Sequence, residues 1–416
     1  MLLLKKQTPM TIKSEEQAPK EKKFLRLADR LSYVPSYIFA KLDTEKQALQ
    51  KNNIDVIDLS LGSPDLHSPR VVIDECVKSL KNPANYRYPP FGGQREFKLA
   101  ASNWFKNRFS IDLDPNDEIL PLAGSKEGIT HLAFAIINPG DLTIVPSPYY
   151  PVHARGTLLA GGEIYELPLI EENKFVPDLD SIPQSILDKA KMFFVSFPNN
   201  PTGAVCDFDF LEKLVYLCKK NQILLVSDLA YSELTFDDNV ARSILEIKGA
   251  KEIGIEFHTL SKTYSMAGWR IAFVCGNKDV IKALYEIKTN TDYGVCNIIQ
   301  SASIKAFSIP LSEHKKTAAI YQERRDVMLE NLKKLGWEIL KPGGAMYIWL
   351  PVPKKYKSGF EFCSELLHKA HVATIPGGSF GTYGEGYVRI ALVDTKERLV
   401  QAADRMYQAN LTYKKL

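Results

Sequence analysis

Short apolar runs alternate with amphipathic stretches through the middle of the chain. Two segments, Ser125–Ile137 and Phe208–Lys220, repeat apolar residues at the spacing of one helix face. Six runs have the length and composition of buried strands, namely Glu118–Leu122, Leu142–Pro146, Met192–Ser196, Ile223–Ser227, Glu256–Leu260 and Ile271–Cys275. This alternation predicts an α/β domain with a mostly parallel sheet.

The pattern changes toward the C-terminus. A long charged segment, Leu311–Leu335, predicts a helix, and a last helix is predicted from Lys396. Between them, short strands are predicted near Trp337–Leu340, Ala345–Leu350 and Tyr387–Leu392. We therefore expect a polar tail or arm (1–30), a large domain (70–311), and a smaller α+β domain built from residues 31–69 and 312–416. A chain of 416 residues is long enough for two cores.

Composition adds mainly exclusions. A net charge of +4 without clustered basic residues predicts no nucleic-acid partner and no membrane partner. No apolar run reaches the roughly 18 residues of a membrane span, and no export signal is visible, so we expect a cytoplasmic protein. The six cysteines form no Cys-x-x-Cys pair, and no metal site is predicted.

The strongest chemical signal is the segment from Thr259 to Arg270, Thr-Leu-Ser-Lys-Thr-Tyr-Ser-Met-Ala-Gly-Trp-Arg. Lys262 follows a predicted strand in a turn rich in hydroxyl groups, and Arg270 opens the next predicted strand. A lysine that forms a Schiff base must be partly desolvated and close to cations, because both lower its pKa. Hydroxyl groups and an arginine suit a phosphate. Taken alone, such a lysine is more often a solvated surface residue.

Three further segments follow predicted strands: Gly124-Ser-Lys126, Asn199-Asn-Pro-Thr-Gly203 and Asp228-Leu-Ala-Tyr231. The carboxyl ends of parallel strands share one edge of the sheet, where open α/β sheets bind ligands. Each segment is weak evidence alone, since Asn-Pro-Thr-Gly is commonly an ordinary turn and a single Asp is often a helix cap. The four segments together predict one site.

In this order, the four segments resemble the class I and II aminotransferases, which are pyridoxal-phosphate (PLP) enzymes of fold type I. The resemblance runs from about residue 30 to the C-terminus and implies a large domain with a mostly parallel sheet and a smaller α+β domain. It implies that Lys262 carries PLP as a Schiff base and that Asp228 holds the pyridine nitrogen protonated. Tyr231 and Asn200 would hydrogen-bond the phenolic oxygen of the ring.

The same resemblance assigns the remaining cofactor contacts. Tyr150 aligns with an aromatic residue that stacks on the cofactor ring. Tyr88, in Tyr-Pro-Pro-Phe-Gly-Gly93, aligns with a tyrosine that reaches the phosphate from the neighbouring subunit, which implies a homodimer with shared active sites. The phosphate would be held by the N-terminus of the helix after Gly124 and by the side chains of Ser125, Thr259, Ser261 and Arg270.

The resemblance also implies which residues contact the substrate. Arg389 aligns with the arginine that binds the substrate α-carboxylate, and an arginine within an apolar strand needs a partner on physical grounds as well. Gly62 would let that carboxylate approach the backbone, and Asn200 would also face the substrate. Lys126 either helps to neutralise the phosphate or binds a distal carboxylate of the substrate.

These residues predict an enzyme that moves an amino group between an L-amino acid and a 2-oxo acid such as 2-oxoglutarate, as in amino-acid biosynthesis. Three segments look most similar to the alanine, aspartate and LL-diaminopimelate aminotransferases, namely Gly124–Gly128, Asp228–Tyr231 and Tyr264–Arg270. A PLP-dependent C–S lyase of the same fold is the alternative. A nicotinamide dehydrogenase is not predicted, because it would need Gly-x-Gly-x-x-Gly after an early strand, and no early strand of this sequence is followed by that motif. A PLP-binding regulator is not predicted either, because it would need an added DNA-binding domain before the core, and we expect only a polar tail there.

Overall fold

The computed structural model describes residues 27–32 and 39–413. The predicted tail (1–30) therefore lies almost entirely outside the described residues. Among the residues that are described, no helix is both long and apolar enough to cross a membrane.

The strands of the described chain form three sheets. Seven strands build one large sheet in the order β2-β8-β7-β6-β5-β3-β4, in which only β8 is antiparallel to its neighbours. The other two sheets have the orders β1-β10 and β11-β12-β9. The strands are β1 (Ile57–Asp58), β2 (Ile119–Leu122), β3 (Leu142–Ser147), β4 (Glu163–Pro168), β5 (Ala190–Val195), β6 (Leu224–Asp228), β7 (Gly254–Thr259), β8 (Ala272–Gly276), β9 (Tyr347–Pro351), β10 (Val372–Ala373), β11 (Ile375–Pro376) and β12 (Tyr387–Ala391).

Helices connect the strands of the large sheet and cover its faces. The α-helices are α1 (Phe39–Lys51), α2 (Arg70–Ser79), α3 (Arg95–Phe109), α4 (Ser125–Ile136), α5 (Val152–Leu159), α6 (Gln184–Leu187), α7 (Phe208–Lys220), α8 (Leu260–Thr263), α9 (Lys278–Thr291), α10 (Asn297–Phe307), α11 (Leu311–Lys334), α12 (Gly359–Ala370) and α13 (Lys396–Gln408). The alternation of strand and helix confirms the predicted α/β fold with a mostly parallel sheet.

Local sequence explains why these elements form. The helix α7 begins after Asp207, whose carboxylate accepts a hydrogen bond from the backbone N–H of Phe210 at 2.8 Å and so satisfies one free donor of the first turn. Its buried face carries Leu211, Leu214, Val215 and Cys218, three or four residues apart. Strand β5 is buried at five of its six residues, as expected for an inner strand with helices on both faces.

The predicted strands differ from the structure at three places. The strand predicted at Trp337–Leu340 is not formed; Trp337 is 1% exposed, but it is buried as a side chain outside any ladder. The edge strand β4 (Glu163–Pro168) was not predicted, because its residues are mostly half-buried and form no continuous apolar run. Arg270 does not open a strand either; it lies in a turn with φ of 56°, two residues before β8.

Alternate residues along the strands of the large sheet belong to separate apolar clusters on the two faces of that sheet. Phe193 and Leu225 belong to one cluster, whereas Phe194 and Val226 belong to the other, because successive side chains of a strand point to opposite faces. A further cluster joins α1, β1, α11 and α13 with the strands after residue 345. This cluster supports the predicted division into a large domain (70–311) and a small domain (31–69 with 312–416), which stays a prediction.

Candidate active site

A cleft of about 470 Å³ lies where the strands β2, β3, β5, β6 and β7 reach their carboxyl ends. Each strand delivers its polar residues to this edge because all five run in the same direction. The residues that line the cleft are Leu61, Gly62, Ser63, Ser125, Lys126, Tyr150, Pro151, Arg155, Ser196, Asn200, Asp228, Ala230, Tyr231, Thr259, Ser261, Lys262, Ala267, Gly268, Arg270, Tyr347, Ile375, Phe380 and Arg389.

The cleft brings together twelve of the thirteen predicted site residues. The exception is Tyr88, which does not line it. The Tyr88 side chain is 78% exposed and stacks on the ring of Tyr293, with centroids 4.4 Å apart. Within one chain, Tyr88 is therefore outside the site that contains Lys262.

Lys262 sits in the single helical turn α8, directly after β7. The hydroxyl of Thr259 accepts a hydrogen bond from the backbone N–H of Ser261 at 3.1 Å and so begins the turn. The Lys262 ammonium donates to the backbone oxygen of Gly62. Burial lowers the pKa of Lys262, and the positive charges of Arg389 and Arg270 lower it further against the opposing effect of Tyr347. The fold thus favours the neutral amine that a nucleophile or a base requires.

Asp228 ends strand β6 and is buried beside a histidine that sequence reasoning missed. Its Oδ2 lies 2.9 Å from Nε2 of His153, whose ring stacks on Phe194 with centroids 4.9 Å apart. The other carboxylate oxygen, Oδ1, is buried and has no hydrogen-bond partner among the described residues. A buried carboxylate oxygen without a donor is costly, so the site is built to receive a donor from a bound molecule.

Tyr347 is a second cleft residue that no motif indicates. It lies on β9, and its hydroxyl is 2.8 Å from the hydroxyl of Tyr231. Burial would raise the pKa of Tyr347, but Lys262 and Arg389 outweigh it and lower that pKa, whereas burial and Tyr347 raise the pKa of Tyr231. Gly62 makes room for this tyrosine, since a Cβ at residue 62 would overlap the Tyr347 hydroxyl. This close packing is a further reason for glycine besides the predicted approach of a carboxylate.

Arg389 is 5% exposed in β12 and has polar but no acidic partners. Its Nη1 donates to Oδ1 of Asn200 at 2.9 Å, and its Nη2 donates to the backbone oxygen of Ser60 at 2.7 Å. The Nε atom has no partner, and no ion pair of the described residues includes this guanidinium. The structural salt bridge that would explain a buried arginine is thus not formed within the described chain, which leaves the charge for a bound carboxylate.

The opposite end of the cleft is shaped for a phosphate. Ser125 begins α4, so the free N–H groups of the first helical turn open toward the cleft. Gly124, with φ of 94°, leaves room for the guanidinium of Arg270, which a Cβ at residue 124 would overlap. Arg270 donates to the backbone oxygens of Ala267 at 2.9 Å and Ala123 at 3.3 Å.

The walls of the cleft are strongly cationic. They carry one carboxylate, Asp228, against four basic side chains, Lys126, Arg155, Arg270 and Arg389, besides Lys262, for which the fold favours the neutral amine. Arg155 was not predicted from the sequence, because a single arginine on a helix such as α5 forms no motif. The Nζ of Lys126 lies 5.9 Å from the centroid of the Tyr150 ring. Such a charge distribution suits a molecule with several anionic groups.

PLP fits this arrangement of groups. A phosphate dianion matches the helix start at Ser125 and the guanidinium of Arg270. A protonated ring nitrogen matches the partnerless oxygen of Asp228, and an aldehyde matches an amine of lowered pKa on Lys262. Fold and cleft together define a PLP-dependent transferase of fold type I.

Comparison with known proteins agrees with this class. Residues 54–406 match the family model described as aminotransferase class I and II. The LL-diaminopimelate aminotransferase of Aquifex aeolicus is 45% identical over 384 residues, covering 92% of this chain and 99% of its own length. That of Moorella thermoacetica is 43% identical over 379 residues, covering 91% and 97%. The solved structure of substrate-bound BacF from Bacillus subtilis is 34% identical, covering 94% and 100%, with a TM-score of 0.91.

The chain belongs to the class I and II aminotransferases. It is a PLP-dependent transaminase whose substrates are small molecules, an amino acid and a 2-oxo acid. The predicted class, cofactor and reaction are thereby confirmed, and transfer of the amino group is favoured over the C–S lyase alternative.

Proposed function

We propose that this enzyme transfers the amino group of LL-diaminopimelate, or of a closely similar dicarboxylic amino acid, to 2-oxoglutarate in the cytoplasm, which gives glutamate and the matching 2-oxo acid; in the reverse reaction glutamate is the donor. The observation that carries the proposal is that Lys126 lines the cleft in addition to Arg270, the proposed phosphate ligand, and Arg389, the proposed ligand of the α-carboxylate. A monocarboxylic substrate and a phosphate would use only part of the charge of these three residues. The names of the two curated relatives support the same substrate.

The chain's own residues would hold PLP from three sides. Ser125, Thr259, Ser261 and Arg270 would bind the phosphate, together with the N-terminus of α4. When bound, PLP supplies an aldehyde that takes up the amino group and a cationic ring that withdraws electrons from the substrate α-carbon. Tyr150 would stack on the ring, and Tyr231 and Asn200 would donate hydrogen bonds to its phenolic oxygen.

Lys262 is the proposed base of the reaction. Its Nζ would remove the proton from the substrate α-carbon, and the lowered pKa favours the unprotonated form that this task requires. Asp228, oriented by His153, would hold the proton of the ring nitrogen through the free Oδ1. Before PLP binds, the backbone oxygen of Gly62 holds the lysine by accepting a hydrogen bond from its Nζ.

Arg389 would bind the α-carboxylate of every substrate. Its guanidinium is already oriented by Asn200 and Ser60, so binding costs little reorganisation. The remaining cations, Lys126 and Arg155, line the same cleft and are the candidates for a distal carboxylate. Lys126 also has its pKa lowered by burial and by the charges of Arg155 and Arg270, which a bound carboxylate would relieve.

A panel of amino donors tests the substrate. With 2-oxoglutarate as the acceptor, kcat/KM is expected to be highest for LL-diaminopimelate, lower for aspartate and lowest for alanine. Lys126→Ala should weaken both dicarboxylic donors by about tenfold or more, roughly 1.4 kcal/mol, because Lys126 is only partly buried and such a pair is worth less than a fully buried one. Alanine should be nearly unaffected.

Lys126→Arg is the matched control, since it keeps the charge and should retain the preference for dicarboxylic donors. An equal loss for all three donors in Lys126→Ala would leave this lysine with the phosphate alone. A wild-type enzyme that prefers alanine would contradict the proposed substrate but not the class of reaction.

A homodimer with shared sites is the second part of the proposal. Tyr88 is 78% exposed and lies outside its own chain's cleft, as expected for a residue that serves a neighbouring subunit. We expect sedimentation to give about twice the 46.8 kDa chain mass. Mixed dimers of Tyr88→Ala and Lys262→Ala chains should recover part of the activity, because one site then has both residues intact. Absence of recovery in a confirmed mixed dimer would show that Tyr88 acts within its own chain or has no part in the reaction.

A further inference from the structure

A buried charge cluster lies behind the turn that joins β2 to α4. Lys288 on α9 is 1% exposed, and its Nζ donates to Oε1 of Glu127 and to Oδ2 of Asp292, both at 2.9 Å. His131 adds its Nδ1 at 2.6 Å from the same Glu127 oxygen. Glu127, His131 and Asp292 have ligand atoms within 4.8 Å of one another, and the cation they surround is the ammonium of Lys288.

Glu127 belongs to the same turn as the proposed phosphate ligands. Its Oε2 accepts a hydrogen bond from the backbone N–H of Ala123 at 2.9 Å, which ties the residue before Gly124 to the first turn of α4. Only one residue separates Glu127 from Ser125. The carboxylate therefore orders the turn, but it also places a negative charge next to a site for a dianion.

Lys288 resolves this conflict. Burial alone would raise the pKa of Glu127, but His131 and Lys288 outweigh it and lower that pKa, so the carboxylate stays charged and remains a strong acceptor. The ammonium at 2.9 Å offsets the negative charge within the cluster. Without this ammonium, Glu127 would either stay an anion and repel the phosphate, or take up a proton and become a weaker hydrogen-bond acceptor for the turn.

The cluster also reaches the segment that carries Tyr88. Asp292 accepts a hydrogen bond from the backbone N–H of Gly294 at 2.6 Å, and the residue between them, Tyr293, stacks on Tyr88. Lys288 thus links the start of α4, at Glu127, to the end of α9, at Asp292. Neither Lys288 nor these two partners line the cleft.

We propose that Lys288 is a positioning residue for the cofactor phosphate, which it serves by neutralising Glu127 behind the β2–α4 turn. The inference rests on the proposed placement of the phosphate at Ser125. Its signature is selectivity for the phosphate, because the effect passes through the charge that faces that group and through no contact with the ring.

The test compares PLP with pyridoxal, which lacks the phosphate. Full-length, cofactor-free enzyme is titrated with each compound, and the dissociation constants are measured by absorbance. Lys288→Met should weaken PLP by about tenfold or more, the usual size of coupling in a charge network, and should leave pyridoxal within about twofold. Adding Glu127→Gln to Lys288→Met should restore most of the PLP affinity, because it removes the carboxylate next to the turn and returns the cluster to its wild-type net charge.

Arg325→Met is the matched control for general destabilisation. Arg325 is likewise fully buried and paired with two carboxylates, those of Asp237 and Asp326, but it lies on α11 away from the turn. It should not change the ratio of the two dissociation constants. Equal losses of PLP and pyridoxal in Lys288→Met, or no recovery in the double variant, would overturn the proposal.

Glu127→Gln alone provides a test that does not require the Lys288 variant to fold. It removes a negative charge near the phosphate, so PLP should bind at least as tightly as to the wild type, and a tenfold loss would overturn the proposal. Failure of the wild-type chain to bind PLP would instead contradict the proposed site, so the two failures are distinguishable.

Discussion

Replacing Lys262 by alanine is expected to lower the rate of transamination by at least about 10³-fold, because the variant loses both the group that bonds the cofactor and the base of the proton transfer. The lowered pKa of this lysine, caused by burial and by Arg389 and Arg270, makes it the amine in the cleft that is poised for both tasks. Single-turnover rates with a dicarboxylic donor measure the loss directly.

Lys262→Arg is the control for charge. It keeps a cation at this position but supplies no neutral amine near pH 7, so it should be about as inactive as the alanine variant. Borohydride treatment of the wild-type enzyme should attach the cofactor to the peptide that contains Lys262. Attachment to Lys126 or to any other lysine would contradict the assignment.

Asp228→Asn is expected to lower kcat by about 10²- to 10³-fold or more, roughly 3–4 kcal/mol of transition-state stabilisation. The amide has the shape of the carboxylate but no charge, so the ring nitrogen is no longer held protonated and the ring withdraws fewer electrons. The affinity for PLP should fall much less, because the groups at the phosphate end are unchanged. Steady-state kinetics and a PLP titration separate the two effects.

Asp228→Ala provides the comparison for shape. It removes the partner of His153 as well as the charge and should be at least as slow as Asp228→Asn. Activity close to wild type in Asp228→Asn would show that the charge of this carboxylate has no part in the reaction.

The sequence alone was sufficient to predict those helices and strands whose burial produces an apolar pattern in neighbouring residues. The helix Phe208–Lys220 has the same bounds in the structure as in the prediction, because its apolar face repeats with the period of a helix. The inner strands of the sheet were found within about two residues. The edge strand Glu163–Pro168 was missed, since a half-buried strand needs no continuous apolar run.

The sequence also determined most of the candidate site. Asp228 ends a strand, and Ser125, Asn200 and Lys262 each follow one within a few residues. A local motif and a parallel sheet therefore together place these residues at one edge. The tertiary structure decided the residues that reach the site from a distance. His153 meets Asp228 across 75 residues, and Tyr347 meets Tyr231 across 116.

Lys288 shows the same limit most clearly, since it meets Glu127 across 161 residues. In the sequence it is one lysine on an amphipathic helix, and such lysines are usually solvated. Its burial and its pair with Glu127 exist only after α4 and α9 pack together, because an ion pair between distant segments depends on packing rather than on any local pattern. Local periodicity therefore determined most of the helices and strands, and the motifs that resemble a known family indicated most of the site residues. Packing alone decided which further charges and hydroxyl groups surround them.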